Sequence, residues 1–273
     1  MQYLKIGDIE VPKIGLGLYS MQGEILETAM KAALESGYEW FDTAYRYENE
    51  KELGEILRGG GHSSVVISTK LSGLQYVGKR KLLYLDQMSA KRILKGSLKR
   101  LGSRKVDMYM LHSPFRHYER AFAELQALKA AGLIGTIGVS GFKEEQLEQV
   151  KSYCGEYPEF NMIECHPYFS NKDLIAYCKS KGIKLIARSP LAHGVILPQL
   201  TMDNGLEEMS RKYGCSVPQL ILRWIIQQNM VALVRSANPE HIKDNIRIFD
   251  FELSDSDNSY IDGLNIYKSY GVK

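Results

Sequence analysis

Four side chains that can hold or move a proton stand at the ends of short apolar segments of this sequence. They are an acid, a phenol, an ammonium and an imidazole, namely Asp42, Tyr47, Lys70 and His112. A free phenol has a pKa of about 10 and is a poor acid near neutrality, but a cation close to it lowers that pKa. We therefore expect Lys70 to activate Tyr47 as a general acid, with Asp42 as the counter-ion of Lys70. His112 would hydrogen-bond a carbonyl oxygen, so the set suits reduction of a carbonyl to an alcohol.

Each of these residues also has an ordinary structural explanation. Asp42 could cap the next helix, and Tyr47 could be an aromatic residue at the rim of the fold. Lys70 could be a solvated strand end, and His112 a loop histidine with its hydrogen bonds satisfied. Their joint occurrence after three neighbouring predicted strands favours the catalytic interpretation.

The segments that must position these residues alternate between two kinds of pattern. Short apolar runs predict strands over 13–17, 39–43, 64–70, 106–111, 136–140, 160–165, 184–189 and 231–236. Segments of helical period lie between them, over 24–36, 49–58, 89–101, 117–131, 143–154, 171–181, 203–213, 217–228 and 238–247. Eight such units predict an α/β fold, a (β/α)8 TIM barrel, whose chemistry gathers at the C-terminal ends of the strands.

We expect one barrel domain over residues 1–273, preceded by an N-terminal β-hairpin that turns at Gly7-Asp8 and plugs the N-terminal face. An open doubly wound sheet is the alternative. The first strand weakens it, because "IGLGLYSMQGE" lacks the G-x-G-x-x-G of a dinucleotide-binding turn.

Composition excludes several classes of function. The 273 residues carry a net charge of only +3, so a general electrostatic hold on nucleic acid or an anionic membrane is not implied. No run of eighteen apolar residues and no signal-like N-terminal segment occur, and the four cysteines form no C-x-x-C pair. These features predict a reduced, cytoplasmic protein and leave its oligomeric state open.

Several motifs, taken together and in order, resemble the aldo-keto reductase family over nearly the whole chain. They are "WFDTAYRYENE", "ISTK", "LHSP", "GVSGF", "IECHPY", "SPL" and "NPEHIKDNIRIFDFELS". The resemblance implies an NADPH-dependent reductase of small-molecule carbonyl compounds, with Asp42, Tyr47, Lys70 and His112 as its catalytic tetrad. NADH, or no nicotinamide cofactor at all, are the alternatives for the cofactor.

The resemblance also implies cofactor-binding positions, and the departures from the family concentrate there. Where the family holds the nicotinamide with a Ser-Asn pair, a glutamine and a stacking tyrosine, this sequence has Ser140-Gly141, Met162 and Arg188. The implied cofactor-binding residues are Ser140, Arg188, Ser189, Leu191, Arg235, Ser236, His241 and Asn245. Each lost hydrogen bond is worth roughly 0.5–1.5 kcal/mol, which would weaken the nicotinamide end most.

Two other functions therefore compete with the reductase. One is a hydride-free acid/base enzyme, a lyase, dehydratase or isomerase, with the same tetrad. The other is a non-catalytic ligand-binding barrel.

Arg188 has three interpretations. It could lie beneath the nicotinamide, bind the carboxylate or phosphate of an anionic substrate, or form a structural ion pair with Glu164 or another local acid. The segment "LSGLQYVGKRKLLYLDQ" after Lys70 is long enough for a lid, with "KRK" at 79–81 as a solvated patch. His166 and His193 have no compact ligand set around them, so we expect no metal site.

Overall fold

A computed structural model describes residues 1–62, 64–77, 81–84 and 89–271 of the chain. Residues 78–80 and 85–87 of the predicted lid, which include part of the "KRK" patch, lie outside the described residues. The described backbone of that segment is an antiparallel pair of strands, β6 (Leu74–Val77) and β7 (Lys81–Tyr84).

Eight parallel strands close into a barrel, which confirms the predicted (β/α)8 fold. In chain order they are β3 (Ile14–Gly17), β4 (Trp40–Asp42), β5 (Val66–Leu71), β8 (Val106–Leu111), β9 (Ile134–Ser140), β10 (Phe160–Glu164), β11 (Lys184–Arg188) and β12 (Val231–Val234). β12 pairs with β3, so the barrel closes between the last strand and the first. The C-terminal ends of all eight strands therefore meet at one face of the barrel.

The predicted N-terminal hairpin is formed by β1 (Tyr3–Ile6) and β2 (Ile9–Pro12), which pair antiparallel. Ile6 stands opposite Ile9, so Gly7 and Asp8 form a two-residue loop, and Gly7 has a φ of 58°. A Cβ on Gly7 would lie 2.2 Å from the Glu159 carboxylate, just before β10. Apolar side chains of the hairpin pack into the barrel interior, so the hairpin closes its N-terminal end.

Helices surround the barrel in the predicted order. They are α1 (Glu24–Glu35), α2 (Glu50–Gly59), α3 (Ala90–Leu101), α4 (Tyr118–Ala130), α5 (Glu144–Cys154), α6 (Lys172–Ser180), α7 (Leu197–Thr201), α8 (Asn204–Tyr213), α9 (Val217–Gln227), α10 (Pro239–Asn245) and α11 (Asp255–Gly263). Local signals set many of their ends: the Ser89 side chain caps α3, for example, and Gly102 ends it with a φ of 65°. Sequence patterns did not predict α7 or α11. None of the described helices is long and apolar enough to cross a membrane.

The tail after α11 runs back over the C-terminal face of the barrel. The backbone N–H groups of Ile266 and Lys268 donate to the carbonyl of Tyr168, and Ser269 donates to the carboxylate of Glu164. The described residues of the tail are therefore held against this face.

Candidate active site

Asp42 and Lys70 form a buried ion pair at the ends of β4 and β5. Lys70 Nζ lies 2.5 Å from Asp42 Oδ2 and donates a second hydrogen bond of 2.9 Å to the Thr43 carbonyl. The other carboxylate oxygen of Asp42 accepts from Ser68, whose hydroxyl in turn accepts from the indole N–H of Trp40. Burial is the largest influence and acts to lower the pKa of Lys70, but the charges of Asp42 and Tyr47 and the hydrogen bonds with them together outweigh it, so that pKa is raised. Lys70 is therefore a fixed cation.

Tyr47 is carried by the short 3-10 helix Tyr45–Tyr47 between β4 and α2. Its backbone carbonyl accepts from the Gln22 side chain, and Asn49 ties the next residues down through hydrogen bonds to the carbonyls of Leu18 and Met21. These bonds hold the loop against the segment that follows β3. The phenol ring is thereby fixed over the barrel mouth.

The four predicted catalytic residues lie together. Lys70 Nζ is 4.9 Å from the centroid of the Tyr47 ring, and the ring of His112 meets that of Tyr47 edge-on with 5.8 Å between centroids. Asp42 joins the group through Lys70. An ammonium and an imidazole that both lie close to the phenol suit proton delivery to a carbonyl oxygen.

The expected lowering of the Tyr47 pKa is wrong for this structure. Burial is the largest influence and raises the pKa; the charge of Lys70 lowers it, and the charge of Asp42 raises it again. The net direction is upward, so Tyr47 is a protonated phenol at neutral pH. Sequence patterns could not reveal this, because they do not give the extent of burial around a loop residue.

His112 follows β8 and is held by a neighbour that the sequence analysis missed. Ser72 Oγ lies 3.1 Å from His112 Nδ1. Burial, followed by the charges of Lys70, Arg46 and Arg188, lowers the pKa of His112 to about 3. The imidazole is therefore neutral across the physiological range. It can donate one N–H to a ligand, and it does not take up a second proton from that ligand or from Tyr47.

Tyr19 was also missed. It follows β3, and its ring meets Tyr47 edge-on at 5.1 Å between centroids. The sequence signal was present, because Tyr19 lies just beyond a strand end like the predicted residues. Ser72 likewise lies just past the end of β5.

Four of the predicted cofactor residues follow β9 and β11. Ser140 ends β9 and is buried, and Arg188 ends β11 and is half-buried. Ser189 has a φ of 53° and shares a hydrogen bond of 3.2 Å with His193, while Leu191 packs against the core. A positive φ at a residue other than glycine is uncommon and typical of binding loops.

The other four predicted cofactor residues follow β12. Arg235 is exposed and donates to the carbonyl of Tyr19; Ser236 is half-buried. His241 is exposed on α10, and Asn245 is buried at its end. The helix start itself is capped, since Asn238 accepts from the backbone N–H of Glu240. A phosphate at this point would rely on Arg235 and Ser236 more than on free helix N–H groups.

The described residues contain no cluster of three or more metal-ligand side chains. His166 is buried and pairs with Glu164 at 3.0 Å, and His193 is exposed on the loop after β11. These two histidines have separate partners.

The fold and the site define a class: a (β/α)8 barrel enzyme whose strand ends hold an Asp, Tyr, Lys and His set. The family model described as "Aldo/keto reductase family" matches residues 13–266. The chain belongs to the aldo/keto reductase family, whose members among its relatives are oxidoreductases.

Known relatives are similar along almost their whole lengths. Morphine 6-dehydrogenase of Pseudomonas putida is 35% identical, over 94% of this chain and 88% of its own. Glyoxal reductase of Bacillus subtilis (strain 168) is also 35% identical, over 94% and 90%. The crystal structure of an aldo-keto reductase from a Medee basin deep-sea metagenome library has a TM-score of 0.86 and 29% identity. That likeness covers 98% of this chain and 96% of the other.

Proposed function

We propose that this protein reduces the aldehyde or ketone group of a small molecule to an alcohol with NADPH, through Asp42, Tyr47, Lys70 and His112. The observation that carries the proposal is that the Tyr47 ring lies close to both the Lys70 ammonium and the neutral His112 imidazole. The reductase and dehydrogenase names of the relatives support it. A cytoplasmic location and a single domain stay predictions.

The side chains of the barrel mouth fit a dinucleotide in part. The hydroxyl of Ser140 and the amide of Asn245 make no hydrogen bond within the described part of the chain, although both residues are buried. Neither group is among the fully enclosed unpaired polar atoms, so both are accessible to a polar ligand. Arg235 and Ser236 offer a cation and a hydroxyl for a phosphate. Met162, by contrast, lies in the apolar barrel interior and offers no amide to a carboxamide.

A reduced nicotinamide, when bound, supplies a hydride to the carbonyl carbon. His112 donates a hydrogen bond to the carbonyl oxygen and orients it toward Tyr47. Tyr47 then transfers its proton to that oxygen as negative charge develops there. Lys70 stabilises the phenolate that remains, and Asp42 keeps Lys70 charged and in place.

The second candidate is a hydride-free acid/base enzyme with the same four residues. The loss of the family's glutamine and tyrosine at Met162 and Arg188 favours it, because both changes fall on the nicotinamide end. A non-catalytic barrel is the third candidate. It is disfavoured because Asp42, Tyr47, Lys70 and His112 are all present and lie together.

One experiment separates these candidates. NADPH is titrated into the purified protein while its fluorescence is followed, and NADPH consumption is then measured with a panel of aldehydes and ketones. The proposal expects binding and carbonyl-dependent consumption. If the protein neither binds NADPH nor consumes it, the reductase proposal is rejected in favour of the hydride-free enzyme.

A further inference from the structure

The guanidinium of Arg188 is the unexplained charge of the barrel mouth. It ends β11, is half-buried, and has no ion pair within 4.0 Å and no side-chain hydrogen bond to any residue that the structure describes. An arginine that is partly removed from water normally has an anion or an aromatic face beside it. Arg188 is therefore a charge whose partner is not supplied by the described protein.

Glu164 is the nearest acid by strand register, since Glu164 and Arg188 stand side by side on β10 and β11. Its carboxylate is already occupied. It accepts 3.0 Å from His166, 2.6 Å from Ser269 and 2.7 Å from the backbone N–H of Tyr270. Burial acts to raise the pKa of Glu164, but these hydrogen bonds and the charge of Arg188 lower it to about 2.

The tail at Gly271 lies close to both of these charges. A Cβ on Gly271 would be 2.7 Å from Glu164 Oε2 and 3.6 Å from Arg188 Nη2, so the backbone of Gly271 fills the space beside both. Arg188 and Glu164 therefore interact through their charges, but among the described residues Arg188 forms no direct ion pair with Glu164 or with another acid.

Arg188 also lies close enough to the catalytic residues to act on them. Its charge contributes to the low pKa of His112, after burial and the charges of Lys70 and Arg46. It acts in the same direction on His193. A ligand held at Arg188 therefore lies in the same mouth as the reacting groups.

We propose that Arg188 binds an oxyanion, the carboxylate or phosphate of the carbonyl substrate, so that this enzyme acts on anionic carbonyl compounds. This inference rests on the proposed carbonyl reduction for its substrate and deepens it. A guanidinium presents its N–H donors along its edge and a flat surface on its face. An anion at the edge of Arg188 leaves the face available to a nicotinamide ring, so the two roles are compatible.

The test uses two aldehydes that differ only in charge, 4-carboxybenzaldehyde and its methyl ester. Wild-type protein is expected to prefer the acid, and Arg188→Gln to reduce the ratio of kcat/KM values, acid over ester, by about 10- to 100-fold, the usual worth of a charged hydrogen bond. Arg188→Lys keeps the charge without the planar fork and should lie between them. Arg211→Gln removes an exposed arginine of α8 and should leave the ratio unchanged.

A binding measurement makes the test independent of turnover. Calorimetry with 4-(hydroxymethyl)benzoate and the protein alone should give a dissociation constant that Arg188→Gln raises by about 10- to 100-fold. Equal constants for wild type and variant would overturn the proposal. If no aldehyde is reduced by the wild type, the reductase is rejected, while calorimetry still decides the anion site.

The anion could instead be the pyrophosphate of a dinucleotide. In that case Arg188→Gln would weaken NADPH binding and leave the ratio of acid to ester unchanged. That result would overturn the substrate role of Arg188. Matching thermal unfolding curves for Arg188→Gln, Arg188→Lys and wild type exclude misfolding as the cause of any change.

Discussion

The Ser72 hydroxyl and the His112 imidazole lie 3.1 Å apart, Oγ to Nδ1. A neutral imidazole has one N–H donor and one acceptor nitrogen, and the partner of one nitrogen decides which is which. We propose that Ser72 donates to Nδ1, which places the proton of His112 on Nε2, where it is available to a carbonyl oxygen. In that role Ser72 is a positioning residue that selects the tautomer of His112.

We expect Ser72→Ala to lower kcat by about 3- to 30-fold with little change in KM, because the wrong tautomer of His112 cannot donate to the substrate. Nitrogen-15 NMR of the imidazole should reveal a larger share of the Nδ1–H tautomer. Ser72→Thr, which keeps the hydroxyl, should have the kcat and the His112 tautomer populations of the wild type. Unchanged tautomer populations in Ser72→Ala would contradict this role.

Tyr47→Phe should lower kcat by about 10²- to 10⁴-fold while ligand binding is kept, since the hydroxyl acts in the transition state. The measurement is steady-state kinetics together with NADPH titration. Tyr19→Phe is the matched control, because it removes a hydroxyl from the neighbouring ring and preserves the edge-on contact. Activity of Tyr47→Phe within a few-fold of wild type would exclude Tyr47 as the proton donor.

Removing one member of the buried Asp42–Lys70 pair should be costly to stability. Lys70→Met leaves the Asp42 carboxylate buried without its cation and should reduce the free energy of unfolding by about 3–5 kcal/mol. Asp42→Asn should act similarly. The free energy of unfolding of the double variant should fall by less than the sum of the two single losses, because neither buried charge is then left without its partner. Urea unfolding of the four proteins measures this coupling, and strict additivity would argue against it.

The low pKa of His112 makes stability depend on pH. The unfolded side chain binds a proton below about 6.5, whereas the folded one does so only below about 3. Between these values the unfolded state holds more protons, so this contribution to the free energy of unfolding rises with pH and is complete above about 6.5. Unfolding at pH 4–6 should therefore take up close to one proton fewer in His112→Gln than in wild type. Equal proton uptake would contradict the burial of a neutral imidazole.

Glu164 links the tail to pH in the same direction, over a more acidic range. Its pKa is lowered to about 2, so its hold on Ser269 and Tyr270 is fully present above about 4.5 and is lost as pH falls toward 2. Ser269→Ala should speed hydrogen exchange of the Tyr270 amide by about 3- to 10-fold at neutral pH. Tyr267→Ala changes an exposed tail residue and should not. Equal exchange rates in Ser269→Ala and wild type would mean that this bond does not hold the tail.

The barrel could be predicted from sequence because eight apolar runs alternate with amphipathic segments, and most strand ends fall within two residues of those expected. α11 was missed because Asp255–Gly263 is mainly polar and buries only Ile261. The tetrad could be predicted from strand ends and family motifs. The link from Ser72 to His112 could not, because a hydroxyl in a loop has no fixed direction until the barrel closes.

The hold of Glu164 on Ser269 and Tyr270 places one end of the described chain at the catalytic face, while the hairpin places Tyr3 at the opposite end of the barrel. A tag or surface anchor is therefore better joined at the N-terminal end of the barrel than at the catalytic face. An affinity tag or surface anchor joined before Tyr3 would leave the mouth open to solution. The same anchor joined beyond Gly271 would crowd Arg188 and face the mouth toward the support.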